Sequence, residues 1–203
     1  MAARGPGAGM AVRMDAERAQ PTRAEWLERC VAWHGHLCMG QVLGLRVALK
    51  GMELIGTRDP KRMLVFIENA RCLADAIQVV SGTRVGKRSA KIVDLGKSAA
   101  TFLDTDTGRA WRVSVRDFTH PPGGKEESCR AALEMQDDVM LAWREVALVP
   151  GPMELPGRPL RAVPCARCGE TVLDGRDVER AGGPLCRSCA DGAYYGERGP
   201  EPA

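Results

Sequence analysis

Met63-Leu64-Val65-Phe66-Ile67-Glu68-Asn69-Ala70-Arg71-Cys72-Leu73-Ala74-Asp75-Ala76-Ile77-Gln78-Val79-Val80 is the stretch from which the fold class is read. Its first part, Met63 to Glu68, is almost continuously apolar and lies between Asp59-Pro60 and Asn69, which predicts a short buried strand. From Ala70 the period changes: Leu73, Ala76, Ile77 and Val80 fall at i, i+3, i+4 and i+7, the stripe of an amphipathic helix. Cys72 then stands at a strand-to-helix junction, where open folds place reactive groups, and it is a candidate ligand or reactive thiol.

Outward toward the carboxy terminus, Ser81 to Arg88 is a polar, Gly-punctuated loop that matches neither a Walker loop nor a dinucleotide fingerprint. Lys91–Leu95 and Ser98–Leu103 read as short strands split by Gly96-Lys97. Trp111 to Arg116 alternates apolar and polar residues, as a half-exposed antiparallel strand does, with Asp106-Thr107-Gly108 as the preceding turn. From Lys125 to Val149 the pattern reads as helix, with Leu133, Met140, Trp143 and Ala147 on one stripe. Prolines and glycines from Pro150 to Pro159 then form a semi-rigid linker.

Outward toward the amino terminus, Gln41 to Met52 is a nearly continuous apolar run, fitting a largely buried helix. Gly44 within it would weaken such a helix, so close packing against another element is expected there. Thr22 with Glu25 three residues on predicts a capping box opening an earlier helix, in which Cys30 is a small buried residue rather than a ligand. Between the two helices lies Trp33-His34-Gly35-His36-Leu37-Cys38-Met39-Gly40, with two of the chain's three histidines. Imidazole and thiolate are the ligands of borderline and soft metals, and on an extended segment His34, His36 and Cys38 would share a face. The other reading is a helix start whose histidines cap and pack. As a metal site these three are incomplete, and Cys72 is the candidate fourth ligand.

The chain has 203 residues, 44% of them hydrophobic, enough for one main domain and a small appendage. A net charge of +3 is too small to argue for nucleic acid or a membrane surface, and no apolar run approaches a membrane span. Eight cysteines with no signal-peptide pattern point to metal ligands in a reducing cytoplasm. Four of them form the Cys165-x-x-Cys168 and Cys186-x-x-Cys189 knuckles, spaced to close a tetrahedral, structural zinc site. From Cys165 to Cys189 four arginines are balanced by four carboxylates and no aromatic occurs, which disfavours a nucleic-acid reader. The predicted organisation is an α+β protein. A disordered arm at 1–20 precedes a mixed helix and antiparallel-sheet core domain at 21–150. A linker at 151–163, a four-cysteine zinc module at 164–196 and a tail at 197–203 follow.

Taken in order, His34-Gly35-His36-Leu37-Cys38-Met39-Gly40, Glu68-Asn69-Ala70-Arg71-Cys72, Asp75-Ala76-Ile77-Gln78, Ser81-Gly82, Gly86-Lys87, Asp94-Leu95-Gly96-Lys97 and the terminal four-cysteine module resemble the FmdE family, the E component of formylmethanofuran dehydrogenase and its relatives. Met39 stands where that family usually has proline, and Thr83 where many members carry a further cysteine. The resemblance implies an α+β core, a treble-clef-like zinc module, a homodimer, and a link to molybdenum or tungsten enzymes acting on one-carbon units. The chain has no molybdopterin-scale domain and no ferredoxin cysteine spacing, so it is not the dehydrogenase itself. Three functions compete: a metal-binding accessory protein with a metalloenzyme partner, a small metalloenzyme, and a zinc-finger regulator. In the second, His34, His36, Cys38 and Cys72 hold a transition metal, Asp75 orients one of those ligands, and Lys87 or Lys97 neutralises developing negative charge.

Overall fold

In the computed structural model, residues 20–117 and 119–196 are described. The predicted tail, and the predicted arm apart from Gln20, lie outside the described residues. Helix α1 (Arg23–His34) opens on the predicted capping box. The Glu25 N–H donates to Thr22 Oγ1 at 3.2 Å, and the Thr22 N–H donates to the Glu25 carboxylate at 2.7 Å. It stops at Gly35, whose φ of +92° is a left-handed conformation that an L side chain rarely adopts. Helix α2 (Met39–Ile55) follows after four residues and is buried along most of its length.

Strand β1 (Met63–Ile67) and helix α3 (Cys72–Ser81) take the predicted places. The helix returns the chain to β2 (Ala90–Ile92), which pairs parallel to β1. Strands β3 (Ala99–Asp104), β4 (Ala110–Val115) and β5 (Leu141–Glu145) are antiparallel, giving the sheet order β2-β1-β3-β4-β5. Lys91–Leu95 was expected as strand, but the ladder ends at Ile92 and the next residues loop over the end of β1, with Val93 and Leu95 donating to Ile67 O and Glu68 O. Met63, Val65, Ile67, Phe102 and Val113 face the helices in the main core. On the opposite face, Leu64, Leu103 and Ala110 are covered by Val146 and Leu148 as the chain leaves β5.

Gly44 does mark a close approach: a Cβ there would stand 2.5 Å from Leu73 O and 2.8 Å from Ala76 Cβ, so α2 and α3 pack backbone to backbone. The single helix expected over 125–149 is a different structure. Helix α4 (Lys125–Glu134) ends, a four-residue helix α5 (Asp137–Met140) follows, and the chain then enters β5. The cause is Arg46 of α2, only 1% exposed. Its guanidinium donates to the carbonyls of Ala132, Leu133 and Met135 at 3.1, 2.8 and 2.6 Å, and to the Asp137 carboxylate at 2.6 Å. These are carbonyls a helix end leaves without partners, so Arg46 caps and terminates α4. Beyond it Val113 pairs with Trp143, and Leu141 and Trp143 join the core in a two-residue period.

The cysteine module is a pair of hairpins and a helix. The first knuckle lies between β6 (Ala162–Pro164) and β7 (Thr171–Leu173); β8 (Val178–Arg180) and β9 (Gly183–Leu185) lead to α6 (Arg187–Asp191), which carries the second. This is the treble-clef-like zinc-binding arrangement. Arg161 forks onto Asp177 and reaches Glu179, tying the two hairpins together, and Arg88 of the core pairs with Asp174 of the module.

Candidate metal centre

Three elements deliver three candidate ligands. His34 is the last residue of α1, Cys38 is the N-cap of α2, and Cys72 is the first residue of α3. One ligand atom from each lies within 4.8 Å of the other two. A tetrahedral zinc ion at its usual bond lengths needs donor atoms roughly 3.5–3.8 Å apart, so a small contraction would seat it. Gly40 makes the convergence possible, because a Cβ there would stand 2.8 Å from Cys72 Cβ and 3.7 Å from Cys38 Sγ. The buried Gln41 side chain donates to Cys72 O at 2.6 Å, fastening the start of α3 to the start of α2.

The turn that presents Cys72 is fixed from behind. The Glu68 carboxylate accepts a fork from Arg112, at 2.6 and 2.7 Å. Asn69 Nδ2 donates to Lys97 O at 3.0 Å while Asn69 Oδ1 accepts from the Arg71 N–H at 3.3 Å. Glu68 and Asn69 therefore position the candidate ligand Cys72 and are not themselves in the cluster.

His34 is set up as a ligand on its free edge. Its Nδ1 lies 2.8 Å from Asp75 Oδ2, one turn along α3 from Cys72, and its Nε2 is buried with no hydrogen-bond partner. A carboxylate only accepts, so Nδ1 carries the proton and the neutral ring keeps its lone pair on Nε2. Leaving such an atom buried and unpaired costs about 1–3 kcal/mol, which a metal bond would offset. The arrangement is the carboxylate–histidine–metal relay of many metal sites. At the sulfurs, burial pushes the Cys72 thiol up, aided by its hydrogen bond to Cys38 and by the negative charges of Cys38 and Asp75. The neutral thiol of Cys72 is thus favoured without a cation, and a bound cation would favour the thiolate instead.

Asp75 thus sits beside His34, one of the candidate ligands. His36 does not join the three ligand atoms: it is exposed, with its ring centroid 4.5 Å from that of His34. Lys87 and Lys97 are exposed on loops, and Lys97 enters the site region through its main chain, donating to Glu68 O at 3.1 Å. Cys30 is buried in the core, where desolvation pushes its thiol up to about 12. Gln41 was not singled out from sequence; its signal was an amide opening an otherwise apolar helix.

In the cysteine module all four sulfurs lie within 4.8 Å of one another, with Cys168 and Cys186 Sγ 3.9 Å apart. Tetrahedral zinc with four thiolates spaces its sulfurs by roughly 3.8 Å. Backbone N–H groups of Cys168 and Cys186 point at Cys165 and lower its thiol to about 6, favouring the thiolate a metal needs. The cluster is compatible with a structural metal such as zinc.

A family model described as FmdE, molybdenum formylmethanofuran dehydrogenase operon, matches residues 33–144, more than half of the chain, a span that includes His34, Cys38 and Cys72. The chain belongs to the FmdE family. A solved relative, a tungsten formylmethanofuran dehydrogenase FmdE-like protein from Syntrophus aciditrophicus, shares the fold. Its TM-score is 0.63 at 24% identity, over 86% of this chain and 95% of that one. A probable S-adenosyl-L-methionine-binding protein of Archaeoglobus fulgidus is 26% identical over 83% of this chain. The chain spans 53% of that relative's length. Among the described residues no helix is long and apolar enough to cross a membrane.

Proposed function

We propose that this FmdE-family chain is a metal-binding accessory protein for molybdenum or tungsten enzymes of one-carbon metabolism, and that its working site is the His34, Cys38 and Cys72 centre. The observation that carries the metal reading is the buried, partnerless Nε2 of His34, whose ring brings a nitrogen within 4.8 Å of two cysteine sulfurs. The family match supports the link to those enzymes. One nitrogen and two sulfurs suit zinc or another borderline first-row ion, and three protein ligands leave a fourth position for an exchangeable group. Such an ion, when bound, supplies a Lewis-acidic centre of low net charge.

The chain's own residues do the rest. Asp75 holds the Nδ1 proton and the ring plane of His34. Cys38 and Cys72 contribute the negative charge. Gly40 leaves the space between them, and Gln41 locks the starts of the two helices in register. In this reading the cysteine module carries a structural zinc, closed by four thiolates. The open fourth position also favours a second reading, a small metalloenzyme using the same residues.

Metal analysis of the purified chain tests the proposal. Two metals per chain are expected, falling to one in both Cys38→Ser and Cys72→Ser and staying at two in Cys30→Ser. One metal in the unaltered protein, resistant to both substitutions, would refute it.

A further inference from the structure

Cys38 and Cys72 are neighbours of a kind that the other core cysteines are not. Cys30 and Cys129 are each buried in the apolar core, whereas Cys38 and Cys72 are half-buried and reachable from solvent. Their sulfurs lie no more than 4.8 Å apart. Cys72 begins a regular helix, but Cys38 has extended backbone, at φ −152° and ψ 161°, and follows a short loop hinged at Gly35. A disulfide needs Cβ atoms about 3.5–4.5 Å apart and sulfurs at about 2.05 Å, so rotating the two side chains and easing that loop would close the bond. The absent side chain at Gly40 keeps the space between the two residues clear.

We propose that Cys38 and Cys72 form a reversible dithiol–disulfide pair whose oxidation shuts the core metal site. The oxidant is a low-molecular-weight disulfide. The thiolate of one cysteine attacks one of its sulfurs, forming a mixed disulfide and expelling one small thiolate. The thiolate of the second cysteine attacks the protein sulfur of that mixed disulfide, forming the Cys38–Cys72 bond and expelling the other small thiolate. Two protein thiols lose two electrons, the reagent gains them, and the two protons end on the released thiols. A disulfide sulfur is neutral and a poor ligand, so closure leaves His34 alone and the metal departs. Metal and disulfide exclude each other because each uses the same two sulfurs. The exclusion rests on the metal assignment above; the pairing rests on the geometry of the thiols.

The test uses the full chain, with metal in its cysteine module, treated with oxidised glutathione and mapped by mass spectrometry without reduction. The expected product is a Cys38 peptide joined to a Cys72 peptide, lighter by two hydrogens and reversed by dithiothreitol. Cys72→Ser should stop at a stable glutathione adduct on Cys38, and Cys38→Ser at one on Cys72. Zinc saturating the core site beforehand should slow the cross-link by about tenfold or more. Separate adducts on Cys38 and Cys72 in the unaltered chain, with no cross-link, would overturn the proposal. A cross-link forming equally fast with and without zinc would uphold the thiol pair and overturn the metal assignment instead.

Discussion

Replacing Asp75 by alanine separates the metal centre from the fold that carries it. The Asp75 carboxylate is 39% exposed, so solvent screens its attraction to His34, and global stability should change by less than ~1 kcal/mol. Metal affinity is a different matter. The 2.8 Å contact to Nδ1 fixes both which ring nitrogen is protonated and how the ring is turned. Without it the imidazole samples other orientations, and the Nε2 lone pair meets the two sulfurs only part of the time. Loss of a partner of this kind typically weakens metal binding by about 10–100-fold. That corresponds to roughly 1.4–2.7 kcal/mol at 25 °C. Cobalt(II) or zinc titration of the core site against a chromophoric chelator measures it, with the four-sulfur cluster as an internal reference that should not move. Asp75→Asn keeps an acceptor oxygen in place and should lose less than Asp75→Ala. If Asp75→Ala binds metal as tightly as the unaltered chain while His34→Ala loses it, the relay plays no part and the reasoning fails.

Gly44→Ala drives a Cβ to 2.5 Å from Leu73 O, so α2 and α3 must separate. The expected cost is about 1–3 kcal/mol in urea unfolding, with weakened core metal binding because Cys72 rides on α3; a neutral variant would contradict the packing. Arg46→Ala strands three carbonyls and the Asp137 carboxylate. It should cost about 3–5 kcal/mol by tryptophan-monitored unfolding, and a loss below ~1 kcal/mol would show that Arg46 does not cap α4. Burial pushes the Asp137 carboxyl up, but the Arg46 hydrogen bond and the charges of Arg46, Lys50 and Arg23 outweigh it and hold the group below its ordinary range. Its stabilising effect is therefore full above the unfolded carboxyl value of about 3.9 and is lost as pH falls through the lower folded value. Asp137→Asn should flatten the stability curve below about pH 4, and an unchanged acid limb would refute this.

What the sequence determined by itself was whatever local chemistry dictates. The Thr22–Glu25 cap, the 63–80 strand and helix, the turn at Gly108 and the two cysteine knuckles are each written within a few residues, and each is found where the pattern places it. Three of the four proposed core ligands, His34, Cys38 and Cys72, also meet, and Asp75 stands behind the first of them. Only the tertiary structure decided the rest. Residues 125–149 carry a helical stripe, yet Arg46, from 86 positions or more away, claims the α4 carbonyls and hands Leu141–Glu145 to the sheet. Likewise His36 matches His34 in every local respect. Gly35 turns the chain between them, so that one imidazole contacts Asp75 and lies within 4.8 Å of the sulfurs while the other is exposed. A ligand set is a matter of distances between side chains far apart in the sequence, and those distances are fixed by the close approach of α2 and α3 over Gly40 and Gly44; the sequence marks Gly44 as a close contact, but only the fold decides that α3 is the element it meets.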